Sequence, residues 1–300
     1  MAIRSAIRSG YGNLEIICVD DGSTDGSARL LKKLSGELKF AFLSHEKNLG
    51  IAASCNDVLS QASGEYFIVL GDDLLLPDRI SGDVLILERF KDVGVVCSQA
   101  RVIGPDNEII EDLPKMPRGS KPGRFLQTPL QVWLEGSKVF TPTATYRSSK
   151  LRSLGGWDTR FEIEDRPLMI RMAQKKIEIW YRPEVTTYYR RNVRNLSAQF
   201  QPGILKRELD LLEVHNISAP PWRIVVKLLT DLHYWMLFLN VGYVEARESL
   251  ILAGLSNWVW TLNSRIFKLG FIAASFLNKG RIVTRDSKGY MSSSKGSIHL

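Results

Sequence analysis

Leu14-Glu-Ile-Ile-Cys-Val-Asp-Asp-Gly-Ser-Thr-Asp-Gly-Ser27 is a short apolar run that stops at two aspartates and then turns polar and glycine-rich. Apolar, β-branched residues bounded by Gly, Asp and Ser read as a buried strand followed by a turn. The Gly/Ser/Thr/Asp loop is good N-cap chemistry, so a helix is expected from Ser27 to Leu34. The same grammar recurs at Gly64-Glu-Tyr-Phe-Ile-Val-Leu-Gly-Asp-Asp-Leu-Leu-Leu-Pro77, a buried strand running into Asp72-Asp73, with Pro77 opening a helix through Phe90. A strand from Phe40 to Leu43 and a helix from Ile51 to Ala62 are expected between the two, and a strand from Val93 to Ser98 after them. Strands alternating with helices imply an α/β fold: a largely parallel, Rossmann-like sheet with helices on its faces.

Farther along, Gly104 to Gly123 is rich in Gly, Pro and charge and is expected to be loop. Gly155-Gly156-Trp157-Asp158 reads as a turn. Glu164-Asp165 begins a helix to about Lys176, with Pro167 in the first turn, where proline is tolerated. Beyond Pro202 the strand signals fade, and helices are expected over 205–214, 222–244 and 248–277. The expected organisation is an α/β domain over 1–202, a helical extension over 203–283 and a disordered, Ser/Gly/Lys-rich tail over 284–300.

Composition narrows the function classes. With 300 residues, 44% hydrophobic and 24% charged, the chain is ordinary globular material, long enough for one large domain and an extension. The net charge of +8 suits a polyanion such as a diphosphate or an anionic membrane surface. It is spread along the chain without a dense Lys/Arg block, as on any solvated basic surface, and no reading motif points to nucleic acid. Cys18, Cys55 and Cys97 form no CxxC pair, which suits buried thiols in a reducing compartment. The N-terminal stretch lacks the apolar core of a signal peptide, so a cytoplasmic location is expected. The apolar segment 232–244 is broken by His233 and Asn240 and falls short of the roughly 18 residues of a bilayer span. Trp222, Trp235, Trp258 and Trp260, with Arg223, Lys227, Arg265 and Lys268, suit either an interfacial helix at the inner membrane face or a helical subdomain packed on the core.

Three acidic pairs stand at element ends: Asp20-Asp21 and Asp72-Asp73 after apolar strands, Glu164-Asp165 at a helix start. In open α/β sheets ligands lie beyond the carboxyl ends of the strands. Adjacent carboxylates there repel and are desolvated at a cost, which invites a neutralising cation. Hard oxygen ligands favour Mn²⁺ or Mg²⁺, held by one or two carboxylates plus substrate phosphates. Each pair alone is also good turn, cap or helix-dipole chemistry.

Taken in order, these segments resemble a known family. Val19-Asp20-Asp21-Gly22-Ser23-Thr24-Asp25-Gly26-Ser27 is similar to the VDDGSTDGT signature of family two glycosyltransferases, inverting enzymes of the GT-A fold. Asn48-Leu49-Gly50, Asn56 and Gly64-Glu65-Tyr66 resemble that family's NxG…N…GEY segment. Gly71-Asp72-Asp73 through Pro77 resembles its metal-binding DxD region. Gly155-Gly156-Trp157-Asp158 with Glu164-Asp165 resembles GGFD…ED, and Tyr189-Arg190 with Asn195-Leu196-Ser197 resembles the closing YRxHxxNxS. The resemblance implies Asp165 as catalytic base, Asp72 and Asp73 as metal ligands, and Asp20, Asp21, Asn56 and Asp72 around a nucleotide-sugar donor, with a glycan or lipid-linked acceptor. On charge and position alone, Arg190 or another basic residue of Tyr188-Tyr189-Arg190-Arg191 is expected at the donor diphosphate. Three departures stand out. Met1-Ala-Ile-Arg-Ser resembles the helix that follows the family's first strand, Leu70 replaces the first acid of the fuller LDxDD form, and Asn192 stands where the closing motif has His. The alternative they motivate is a non-catalytic GT-A binding or scaffold protein.

Overall fold

The computed structural model describes residues 1–104, 106–113, 121–162, 164–191 and 204–220, with 224, 227, 282–285 and 291–294. The chain divides into two compact units, Met1–Arg190 and Arg191–Leu300.

In the first unit α1 (Ala2–Ile7) leads to β1 (Ile17–Asp20), α2 (Ser27–Leu38), β2 (Ala41–Ser44) and α3 (Ile51–Gln61). β1 and β2 pair in parallel, Ile17 against Ala41 through Asp20 against Ser44. A parallel pair needs a crossover of about a dozen residues or more, usually a helix, and the 12 residues of α2 supply it. There follow β3 (Tyr66–Phe67), β4 (Leu74–Leu75), α4 (Arg79–Arg89), β5 (Val93–Ile103), β6 (Ile109–Leu113) and β7 (Gly123–Phe125). Next come α5 (Pro129–Glu135), a 3₁₀ turn (Thr141–Thr143), β8 (Thr145–Arg147), α6 (Ser148–Ser153), α7 (Asp165–Gln174) and β9 (Glu178–Arg190). These strands form a seven-stranded sheet in the order β3-β8-β5-β9-β4, with β6 on β5 and β7 on β9. β5 is buried along nearly its whole length, as its run of Val, Cys and Ala demands of a strand covered on both faces.

The α/β expectation is met, with differences of detail. Of the seven strand pairings in this unit, β1–β2 and β5–β9 are parallel and the other five antiparallel, so the sheet is mixed where a mostly parallel one was expected. The strand expected over Gly64 to Leu70 is laddered only at Tyr66–Phe67. The segment expected to be loop holds β6, because Asn107 adopts a left-handed φ of 64° and the Gly104 N–H donates to the Glu108 carbonyl. Asparagine tolerates that conformation better than most residues, and the chain doubles back tightly. β9 was not anticipated at all.

In the second unit α8 (Ile204–Val214) is helical, and β10 (Ile282–Arg285), across the expected boundary at 283/284, pairs antiparallel with β11 (Met291–Ser294), within the tail expected to lack structure. The helices expected over 222–244 and 248–277 lie outside the described residues, apart from 224 and 227. No helix among the described residues is long and apolar enough to cross a membrane.

Beneath the sheet's polar end lies a buried ionic cluster. Arg79 and Asp83, one turn apart on α4, are both fully buried. Arg79 donates to the Pro142 carbonyl (2.8 Å), Thr187 Oγ1 (2.7 Å) and the Ala144 carbonyl (3.1 Å). Asp83 accepts from Thr145 Oγ1 and from Arg182 Nη1, each at 2.6 Å. Thr187 in turn stands opposite Leu75 of β4. The cluster therefore fixes α4, β8, β9 and the 3₁₀ turn together, just behind Asp72-Asp73. Removing one partner of such a cluster strands the others in low dielectric, so Asp83→Ala is expected to cost about 3–5 kcal/mol in urea unfolding.

Candidate active site

The turn after β1 has a built geometry. Asp20 is buried, and its Oδ2 accepts the Ser23 N–H at 3.1 Å. Gly22 has φ 73°, and a Cβ there would lie 2.5 Å from the Lys47 carbonyl carbon, so only glycine fits. Asp21 points the other way. It accepts from the Leu49 N–H, the Gly50 N–H and His45 Nδ1, each at 2.8 Å. Burial draws its carboxyl upward, but the hydrogen bonds from His45, Leu49 and Gly50 outweigh this and hold it below the ordinary carboxylate range. A carboxylate has about four acceptor positions, and three are engaged here. Asp21 is thus first the knot that ties the ends of β1 and β2 to the start of α3.

Asp72 and Asp73 are treated differently by the fold. Asp72 is exposed, whereas Asp73 is buried, and its Oδ1 accepts the Arg190 backbone N–H at 2.9 Å. Burial pushes the Asp73 carboxyl up to about 6 against that bond, and the neighbouring charge of Asp72 adds to the rise. Among the described residues no group of three or more His, Cys, Asp or Glu is gathered to hold an ion. The Asp72-Asp73 pair fits a hard divalent cation whose remaining ligands are ligand phosphates and water. The desolvated Asp73 carboxylate, only partly satisfied by one N–H, is the group such a charge would stabilise. Arg190, expected at the diphosphate, donates through its guanidinium to the Gly104 carbonyl (3.3 Å) and Asn107 Oδ1 (3.0 Å), both in the β5–β6 turn.

Asp165 sits in the first turn of α7, where the helix dipole favours a negative charge. Thr141 Oγ1 reaches its Oδ2 at 3.5 Å. Next to it Glu164 is half-buried, and burial followed by the charge of Asp165 pushes its carboxyl up to about 7. The turn before α7 is held from α3: Asn56 Nδ2 donates to the Trp157 carbonyl (2.8 Å), and the Trp157 N–H donates back to Asn56 Oδ1 (2.7 Å). Asn56, expected to touch the donor, is engaged at both ends by this backbone.

Packing links the acidic positions. Phe140, preceding Thr141, meets Tyr189 edge-on at 5.1 Å, and Tyr189 precedes the Arg190 whose N–H holds Asp73. On the other side, α3 begins at the N–H groups that hold Asp21 and carries Asn56 at its middle. No local pattern marks His45, Thr141 or the Arg190 main chain as parts of this assembly, since each acts through a contact far apart in the chain. Asn192 and Asn195-Leu196-Ser197 lie outside the described residues.

Residues 1–155 match the sequence profile described as Glycosyl transferase family 2. The chain belongs to that family. The match ends ten residues before Asp165, so the base position rests on geometry and motif. Among relatives, putative glycosyltransferase EpsE of Bacillus subtilis is 30% identical over 159 residues, 52% of this chain and 54% of that protein. The poly-beta-1,6-N-acetyl-D-glucosamine synthase of Staphylococcus epidermidis is 27% identical over 307 residues, 94% of this chain and 73% of that protein. The chain thus spans about half the length of EpsE. In structure it is similar to S. aureus TarS 1–349 in complex with UDP, with a TM-score of 0.59 at 16% identity, covering 98% of this chain and 93% of that one. GalNAc-T7 with UDP, GalNAc and Mn²⁺ gives a TM-score of 0.57 at 13% identity, covering 89% and 54%. These likenesses establish the fold of this family 2 member as GT-A.

Glu164 offers a direct check. Its folded pKa lies above the ordinary 4.5, so its ionisation is disfavoured in the fold and stability falls as pH rises from there toward about 7. Glu164→Gln is expected to be more stable than the parent at pH 8 by on the order of 1–2 kcal/mol, with the advantage vanishing below pH ~4, as read by urea unfolding at the two pH values.

Proposed function

We propose that this chain transfers a sugar, with inversion, from a nucleotide-diphosphate donor to an acceptor hydroxyl in the assembly of a cell-surface polysaccharide or other glycan, glycan or lipid-linked acceptors being the expected partners. The carrying observation is the pairing of a half-buried carboxylate at a helix start, Asp165 braced by Thr141, with the carboxylate pair Asp72-Asp73 at a strand end. Family membership, the synthase named among the relatives, and the UDP held by TarS and GalNAc-T7 support the reading.

In this reading Asp165 takes the proton from the acceptor hydroxyl as that oxygen attacks the anomeric carbon in line with the departing diphosphate. Thr141 orients the carboxylate toward that proton. Glu164, which holds its own proton up to about pH 7, keeps a second full negative charge away from the base. Asp73, fixed by the Arg190 N–H, and Asp72 would hold Mn²⁺ or Mg²⁺, which would supply charge neutralisation for the leaving diphosphate. Asp21 lies against the nucleoside through its remaining acceptor position, within the loop it anchors. Asp20 supports it through the Ser23 turn, and Asn56 acts through the Trp157 turn. Arg190 at the end of β9 adds positive potential toward the diphosphate. The location proposed is the cytoplasm, with peripheral contact at the inner membrane face through the tryptophan-bearing segment after Pro202.

Two substitutions test the assignment. Asp165→Asn should lower transfer roughly 10²–10⁴-fold while nucleoside diphosphate affinity by calorimetry stays within about twofold. Asp73→Asn should remove the Mn²⁺-dependent part of donor binding in the same titration. A donor screen by mass spectrometry with Mn²⁺ supplies the substrate, and transfer at the parent rate by Asp165→Asn would rule out that base.

A further inference from the structure

The ring of His45 lies between two carboxylates, and neither belongs to the proposed catalytic or metal groups. Nδ1 is 2.8 Å from Asp21 Oδ1, and Nε2 is 2.9 Å from Asp57 Oδ2. His45 directly follows β2, and its backbone N–H donates to the Asp20 carbonyl at 2.9 Å, which extends the parallel ladder by one rung. Its side chain is only 12% exposed, against 22% for Asp21 and 51% for Asp57. The ring is therefore seated rather than tethered loosely at the surface.

Two acceptors around one ring constrain its protonation. An ionised carboxylate can only accept, and a neutral imidazole carries a single N–H. With the neutral ring one of the two close contacts would set lone pair against lone pair. Only the imidazolium donates to both. The Asp21 hydrogen bond raises the His45 pKa above its ordinary 6.5; burial opposes this and the Asp57 bond adds to it. The charged groups facing the ring are Asp21 from the end of β1 and Asp57 from α3, with Glu46 and Lys47 beside it in its own loop.

We propose that His45 is a positioning residue for the donor site: as an imidazolium it bridges Asp21 to Asp57, and so locks the end of β1 onto α3 in the register that presents Asp21 to the nucleoside. The inference rests on the reading of Asp21 as a nucleoside contact. It adds that donor affinity depends on the protonation of a residue outside the catalytic and metal groups. The sign follows from the raised pKa. The bridge is complete below 6.5 and is lost as pH rises through the folded value, because the neutral ring has one N–H for two carboxylates whichever tautomer forms. Leu49 and Gly50 remain bound to Asp21, so the start of α3 stays tied while the second link, through Asp57 one turn or more along the helix, loosens.

The test uses the full chain, UDP and GDP with Mn²⁺ as calorimetric probes, and histidine NMR. The sequence has 4 histidines, and the His45 resonance is assigned by its absence from His45→Gln. The parent should show His45 titrating above the ordinary value, and Asp57→Asn should move that titration down by about one unit. Nucleotide Kd and donor KM should rise roughly tenfold as pH passes through the His45 titration, the scale of one lost charge-assisted hydrogen bond. In His45→Gln they should sit at the weaker value at every pH, with kcat changed less than about twofold. Asp57→Asn alters an exposed group, and it keeps the test decisive if His45→Gln folds poorly: it should shift the midpoint of the Kd profile by the same amount as the NMR titration. A parent that binds nucleotide with a Kd profile indifferent to Asp57→Asn, or a His45 that titrates at its ordinary value, overturns the bridge and leaves the transferase reading standing. A parent that binds neither nucleotide at any pH overturns both.

Discussion

Arg79 and Asp83 are buried together, with the half-buried Arg182 closing over them, at the point where α4, β8, β9 and the 3₁₀ turn meet. Taking ions out of water is costly, and a cluster like this contributes little net stability over a hydrophobic replacement. Its contribution is geometric. The guanidinium of Arg79 has a fixed fork, and the carbonyls of Pro142 and Ala144 and the hydroxyl of Thr187 must arrive at its donors from separate segments. Those segments carry Thr141, which braces Asp165, and the strand that ends in Arg190, which holds Asp73. A greasy core would pack these elements at similar cost but would tolerate sliding between them. A directional cluster does not.

Above that base, the fold separates like charges by placing them in unlike surroundings. At Asp72-Asp73 one member is exposed and the other buried, and burial raises the buried carboxyl to about 6; at Glu164-Asp165 both are half-buried, and burial with the neighbouring charge raises the Glu164 carboxyl to about 7. Adjacent carboxylates that cannot both ionise freely acquire distinct tasks from their environment rather than their chemistry. Asp20-Asp21 resolves the same problem by direction. One carboxylate turns inward to a single backbone N–H, the other outward to three donors.

What was legible in the chain was the local grammar. The runs ending at Asp20 and Asp72, the helix starts near Ser27, Ile51 and Asp165, and the α/β alternation all follow from short-range patterns of apolar residues, turn formers and caps. β9 was not legible, for identifiable reasons. It carries Pro183 and two arginines within its length, and its register against β5 shifts near Cys97–Ala100, so its inward residues do not keep an even period of two. β6 was hidden in a stretch whose composition spoke for loop, because a single left-handed asparagine suffices to fold it back. The partners of Asp21, Asp73 and Asn56 lie 24 to 117 residues away, and all three side chains answer to backbone groups, which leave no trace in residue identity.

The clasp between Asn56 and Trp157 carries this last point into the history of the sequence. A carboxamide offers one donor and one acceptor side by side, the same face that a peptide unit presents, so Asn56 behaves as a piece of main chain grafted onto α3. Aspartate would lack the donor, and glutamine would hold both groups one methylene too far out. The other half of the clasp does not read the side chain at 157, since any residue but proline supplies the same N–H and carbonyl. The clasp thereby binds the identity of position 56 alone, while Trp157 answers to its own packing against Phe67 and Tyr146 in the core. The clasp by itself would leave no correlated substitution between positions 56 and 157, although the two are directly joined.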